Sequence, residues 1–203
     1  MQEWWVRSLL VLQAPRAVFV ALRDDSGEAA SDRAEPVLAI VLLAGIASVL
    51  STTTAAHLLD DHAYDGLLVA VWTFLAGGLY GAVAYWFFGA LLHGAVKALG
   101  SQGSYRRTRH VLAFAAVPLV LSLVVWPLKL ALWGEDLFRS GGSDHGPGVT
   151  ALAVVELGFL VWTVALLVVG IRSVHGWTWP RTGAALAAAG VPIAALTLYA
   201  SLS

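Results

Sequence analysis

Two ionisable side chains fall inside apolar runs where a lone charge is costly. Lys129 lies about four residues before the end of one run, 110–133, and Glu156 about six residues into the next, 150–171. The runs are joined by one loop, so the two side chains reach matching depths, and a Lys129–Glu156 ion pair lets each stay charged where neither would alone. The bland reading is structural: a pair that fixes register between neighbouring helices, or two side chains reaching separately for the surface. The sharper reading is a proton or substrate site opening outward. A second set of candidates sits between the runs. His57 and Asp61 are four apart and would share a helix face, the spacing two metal ligands need, and His62 follows directly. Asp60 and Asp65 lie beside them, and Glu135, Asp136, Asp144 and His145 occupy another loop. There is no HExxH, no His-x-x-x-His pair and no cysteine, so no metal is assigned; His57, Asp61 and His62 remain the candidate ligands. The chain has no P-loop, no G-x-S-x-G and no dinucleotide fingerprint, and no catalytic residue or cofactor is assigned.

The elements that must hold these residues follow from composition. Of 203 residues, 59% are hydrophobic and 12% charged, about half the charge of an average soluble domain, which leaves too little polar surface for a water-soluble globule. The net charge of −1 gives no case for a nucleic-acid partner. The apolar runs predict an all-α polytopic membrane protein of five transmembrane helices, at about 36–57, 67–97, 110–133, 150–171 and 182–202. Residues 1–35 form a separate arm. Trp4, Trp5, Leu9, Leu10 and Leu12 predict a short helix in the headgroup layer. Pro15 opens a second, in which Val18, Phe19 and Leu22 share a face, and 23–35 reads as a linker.

Lys and Arg set the orientation. Four lie in the arm, four in the loop before the third span (Lys97, Arg106, Arg107, Arg109) and two in the loop before the fifth (Arg172, Arg181), which is 10 of 12 on one side. The amino end is therefore expected in the cytoplasm and the carboxyl end outside an inner membrane. A four-span version with the last segment half-inserted is the competitor. The six loop cations form an inner basic rim suited to anionic lipid headgroups. Gly77 and Gly81 make a G-x-x-x-G pair that lets another helix approach closely; an internal partner is favoured over a second copy of the chain. Gly183 and Ala187 belong to an Ala/Gly face expected to pack tightly. Pro118, Pro127 and Pro192 predict kinks, the first two freeing carbonyls near Phe114 and Leu123.

Several short motifs resemble the bacterial branch of the Yip1 family. They are Pro15-Arg16-Ala17-Val18-Phe19, then Gly103-Ser104-Tyr105-Arg106-Arg107-Thr108 leading to Phe114-Ala115-Ala116-Val117-Pro118, and the segment 162–174 followed by His175-Gly176-Trp177-Thr178. The likeness covers nearly the whole chain. Eukaryotic relatives bind prenylated Rab GTPases and carry Asp-Leu-Tyr-Gly-Pro before the spans. Here only Leu79-Tyr80-Gly81 stands, inside a span and without the flanking Asp and Pro, so the Rab role is not carried over. Bacterial relatives look like non-enzymatic membrane proteins, some accessory to ABC-type exporters or to envelope stress defence. The resemblance therefore implies a non-catalytic protein that organises or assists a membrane complex, with membrane lipids and another membrane protein, such as an ABC-type exporter or a second copy, as partners. The alternatives are a transporter subunit using Lys129 and Glu156, and a metal-dependent membrane enzyme acting from the outer loops.

Overall fold

Prolines and hydroxyl side chains decide where the helices of this chain start and stop. The computed structural model describes residues 2–61 and 63–202, which are helical with no strand among them. Helix α1 (Gln2–Leu10) is followed by α2 (Pro15–Ala21), with Pro15 in its first turn, where the missing N–H costs nothing. The segment expected as a linker holds a short helix, α3 (Gly27–Asp32), whose N-cap Ser26 accepts from the Ala29 amide at 3.3 Å. Helix α4 (Ala34–Leu50) ends seven residues before the expected span does. Ser51 donates back to the Ala47 carbonyl and Thr52 to that of Val49, offering the backbone alternatives to helix, and the chain tightens into a 3₁₀ turn at Ala55–Asp60.

Helix α5 (Gly66–Ala98) runs unbroken for 33 residues, about 50 Å at 1.5 Å per residue. The third apolar run is segmented into α6 (Tyr105–Ala115), α7 (Val117–Leu121), a 3₁₀ stretch at Ser122–Val124, α8 (Val125–Trp133) and a final turn at Gly134–Phe138. The first break falls just ahead of Pro118 and the 3₁₀ stretch just ahead of Pro127, each where a proline withholds the N–H that would continue the ladder. Helix α9 (Pro147–His175) and α10 (Trp179–Leu202), which runs on through Pro192, complete the chain. Among the described residues, three stretches are long and apolar enough to cross a membrane: Gly66–Ala98, Tyr105–Phe138 and Pro147–His175. Ala34–Leu50 is a shorter apolar helix.

The contacts divide the chain into two units. One comprises the described residues of Met1–Val37, Ala84–Ala115 and Ala165–Ser203. Its core is Val18, Phe19 and Leu22 of α2 and its end, Val111 and Phe114 of α6, and Ile171 of α9, all fully buried or nearly so. Gly170 makes room for it, since a Cβ there would come within 2.8 Å of Val111 and 2.9 Å of Phe19. The other unit is Leu38–Val83 with Ala116–Val164. Here Leu59, Val69, Trp126, Leu137 and Phe138 cluster, with the Trp126 and Phe138 rings stacked at 6.1 Å.

The same unit holds the glycine seam. A Cβ on Gly77 would lie 2.7 Å from the Ile46 Cα, one on Gly81 would overlap the Val41 carbonyl, and one on Gly45 would overlap the Gly77 carbonyl. The G-x-x-x-G pair of α5 is thus used on α4, inside this chain. Gly183 and Ala187 behave otherwise than expected. Both are exposed, and a Cβ on Gly183 meets nothing within 4 Å. Helix α10 turns Thr182 and Ala185 inward instead, a stripe three residues apart that leaves positions 183 and 187 on the neighbouring face.

Candidate functional site

The polar chemistry of the first unit gathers around a fully buried arginine at the start of α4. Asp24 accepts the Ser26 amide at 3.0 Å, which turns the chain into α3 and brings Asp24 and Asp25 back over Arg33. The Arg33 guanidinium donates from Nε to His110 Nδ1 at 2.7 Å, from Nη1 to the Asp24 carbonyl at 2.9 Å and from Nη2 to Asp25 Oδ1 at 3.4 Å. Its flat face looks toward the Trp4 ring, 5.6 Å away. Asp25 also takes Arg106 Nε at 2.9 Å and the Ser104 hydroxyl. Burial pushes the Asp25 carboxyl up, but the Ser104 hydroxyl and Arg106 outweigh it and hold the group below the usual carboxylate range. Burial pulls the Arg33 pKa down and Asp25 opposes it; an arginine so placed keeps its charge.

The remaining rim cations lean on backbone and rings. Arg107 donates to the Arg23 carbonyl at 2.7 Å. The Arg109 guanidinium lies 3.5 Å above Trp86, 4.6 Å from Tyr105 and 5.0 Å from Tyr85, an aromatic cage braced by the Tyr105 hydroxyl on the Trp86 carbonyl at 2.6 Å. Gly89 lets the arginine stem pass, since a Cβ there would overlap Arg109 Cγ. Arg172 sits 4.4 Å over Trp179, and Arg181 4.4 Å over Trp177 while donating to the Leu99 carbonyl. Lys97 is exposed in the last turn of α5. Charge is sorted between the units: ten Lys and Arg against six Asp and Glu in the first, two against seven in the second.

In the second unit Lys129 Nζ lies 2.8 Å from Glu156 Oε1 and 2.9 Å from Oε2, and 4.7 Å over the Trp126 ring. The two side chains are 12% and 19% exposed, so most of the pair is out of contact with solvent. A cavity of about 500 Å³ is lined mostly by apolar side chains, among them Ile46, Val69, Phe74 and Trp126, with Thr73 and Glu135 as polar members; Lys129 and Glu156 lie outside its lining. His57 does not join Asp61. Its Nδ1 is 2.6 Å from the Ser140 hydroxyl and 3.2 Å from Asp60 Oδ2, whereas Asp61 accepts the Ala63 amide at 2.9 Å. Asp60 takes the Ser140 amide at 2.6 Å and its hydroxyl at 2.5 Å, bonds that hold its carboxyl below the ordinary range. His62 lies outside the described residues. Among those described, no group of three or more His, Asp and Glu is placed to hold a metal ion.

Sequence reasoning missed Arg33, Asp25 and His110 as a set, and Gly45 as the counterpart of Gly77 and Gly81. Arg33 closes an otherwise polar segment, and its partner His110 is 77 residues away, a distance no local pattern spans. Gly45 stands alone in α4, so only the seam as a whole identifies it.

The Yip1 domain model covers residues 9–202, nearly the entire chain, and the chain belongs to the Yip1 family. No curated protein and no solved structure matches it.

Proposed function

We propose that this Yip1-family membrane protein is non-catalytic and organises or assists a membrane complex. The observation that carries the reading is unspent apolar surface on α9. Only 6% of its most apolar stretch is buried, with Val154, Leu157, Val161 and Val164 all at least half exposed. Such a helix needs lipid or another protein along most of its length. The glycine seam is already occupied by α4, so a partner would dock on larger side chains. In this reading the chain crosses an inner membrane five times, amino end in the cytoplasm, with α4 and α10 as the shorter crossings. Trp5, Val6 and Leu9, exposed on α1, then rest in the headgroup layer, and the basic rim meets anionic lipid. The ion pair's position outside the apolar cavity favours a structural role over a transported substrate.

Mild solubilisation of native membranes followed by identification of co-purifying proteins tests the reading. A reproducible membrane-protein partner, an ABC-type exporter or a second copy, is the expected result; a lone monomer that exports and assembles nothing overturns it. A reporter fused after Ser203 that faces the cytosol overturns the five-crossing topology.

A further inference from the structure

Arg16, Arg23 and Arg172 line one cavity of about 330 Å³, together with Ser173, Gly176 and Trp177. We propose that this cavity binds a phosphoryl anion. The inference deepens the lipid-contact part of the reading above and is independent of any protein partner.

Three guanidiniums at the end of α9 have an ordinary use, which is to offset the carbonyl-rich helix terminus. That use is too small for the charge present. A helix end carries about half a negative charge, against three positive ones. Arg23 donates to one of the carbonyls of that end, that of Ser173, from Nε at 3.1 Å and from Nη2. No carboxylate lines the cavity. The acids next to Arg23 in the chain are engaged elsewhere, Asp24 by the Ser26 amide and Asp25 by Arg33, Arg106 and Ser104. Arg172 is positioned by stacking on Trp179, yet its buried Nε has no hydrogen-bond partner within the protein. Arg16 and Arg23 are exposed at the rim, where a ligand can meet them, and Arg172 adds a third charge to the lining.

The geometry favours phosphate over carboxylate. A carboxylate offers two coplanar oxygens and is satisfied by one arginine fork. A tetrahedral phosphoryl group presents oxygens in several directions, matching arginines carried on three separate stretches of the lining: α2, the residues after it and α9. A phospholipid headgroup and free phosphate share this chemistry.

The test uses the full chain in detergent micelles, with phosphatidylglycerol retention followed by native mass spectrometry and inorganic phosphate binding by calorimetry. Diacylglycerol, which has the same chains and no phosphoryl group, is the comparison lipid. Wild type is expected to bind phosphatidylglycerol, inorganic phosphate or both in preference to diacylglycerol. Whichever binds identifies the source. Arg16→Gln and Arg172→Gln are each expected to weaken binding roughly tenfold or more, and Arg139→Gln, remote in the chain and outside the cavity, to leave it unchanged. Arg16 is exposed, so its variant stays informative should Arg172→Gln lose helix content. Binding that is equal in wild type and Arg16→Gln, or no preference for either anion over diacylglycerol, overturns the cavity assignment. A complex partner found in the pull-down would survive that result.

Discussion

Replacing Gly77 and its neighbour Gly78 by alanine separates intrinsic helix preference from interhelical fit. Both lie in the middle of α5, and in each case alanine gains about 1 kcal/mol of helix propensity over glycine. At Gly78 the added methyl meets Leu42 Cδ2 at 3.5 Å, an ordinary contact, so the gain is kept. At Gly77 it meets Ile46 Cα and Cγ1 at 2.7 Å and the Ile46 backbone N at 2.9 Å. Carbon atoms rest at about 3.5–4.0 Å, so α4 and α5 must part by about 1 Å, and forced overpacking of this kind costs about 1–3 kcal/mol. Gly77→Ala should therefore lose up to about 2 kcal/mol net while Gly78→Ala gains up to about 1, which leaves the first about 1–3 kcal/mol below the second. The assay is unfolding of the full chain in bicelles by an ionic detergent, followed by far-ultraviolet circular dichroism, with Gly94→Ala as a control whose methyl meets nothing within 4 Å. A Gly77→Ala protein as stable as Gly78→Ala would refute the seam.

Neutralising Lys129 or Glu156 alone should cost about 2–3 kcal/mol, short of a fully buried pair, and Lys129→Met with Glu156→Gln should recover at least half; additive losses in the double variant would deny the coupling. Asp25 is held below the usual carboxylate range, so its contribution is full above pH ~4 and fades as pH falls through its folded value. Asp25→Asn should therefore be less stable than wild type near neutrality, and the two melting curves should converge in acid. A stability gap that is constant with pH would exclude Asp25 as the cause. Ser140→Ala should raise the titration point of Asp60, its largest source of support, in carboxyl-resolved NMR, and an unmoved Asp60 would count against the bridge between the two loops.

The apolar runs of α5, the third segment and α9 were legible because twenty or more oil-soluble residues in succession have few alternatives to a membrane helix. The breaks ahead of Pro118 and Pro127 were legible too, because a missing donor acts locally. The early end of α4 was not. It depends on whether Ser51 and Thr52 bond back to the helix or across to a neighbour, and composition is the same in both cases. Lys129 and Glu156 could be paired from depth alone because one loop joins their helices. The Arg33 cluster could not, as its members come from α1, the turn before α3, and α6, brought together only by packing. Charge in 23–35 read as solvation, whereas Arg33 from that stretch is completely enclosed. The inward face of α10 was not legible for a simpler reason: small residues occur all round it, so no stripe is marked out as the inward one.

The gap at Gly89 shows how a position can encode a charge that it does not carry. Hydropathy would score valine or leucine there as an improvement to α5. The space such a side chain would take is the channel through which the Arg109 stem reaches Trp86, Tyr85 and Tyr105. Filling it would evict a permanent cation, twenty residues away in the chain, from the three rings that hold it. Tolerance at this site is therefore governed by the arginine's shape, and the emptiness of residue 89 is as much a part of the cation's binding place as the three rings are.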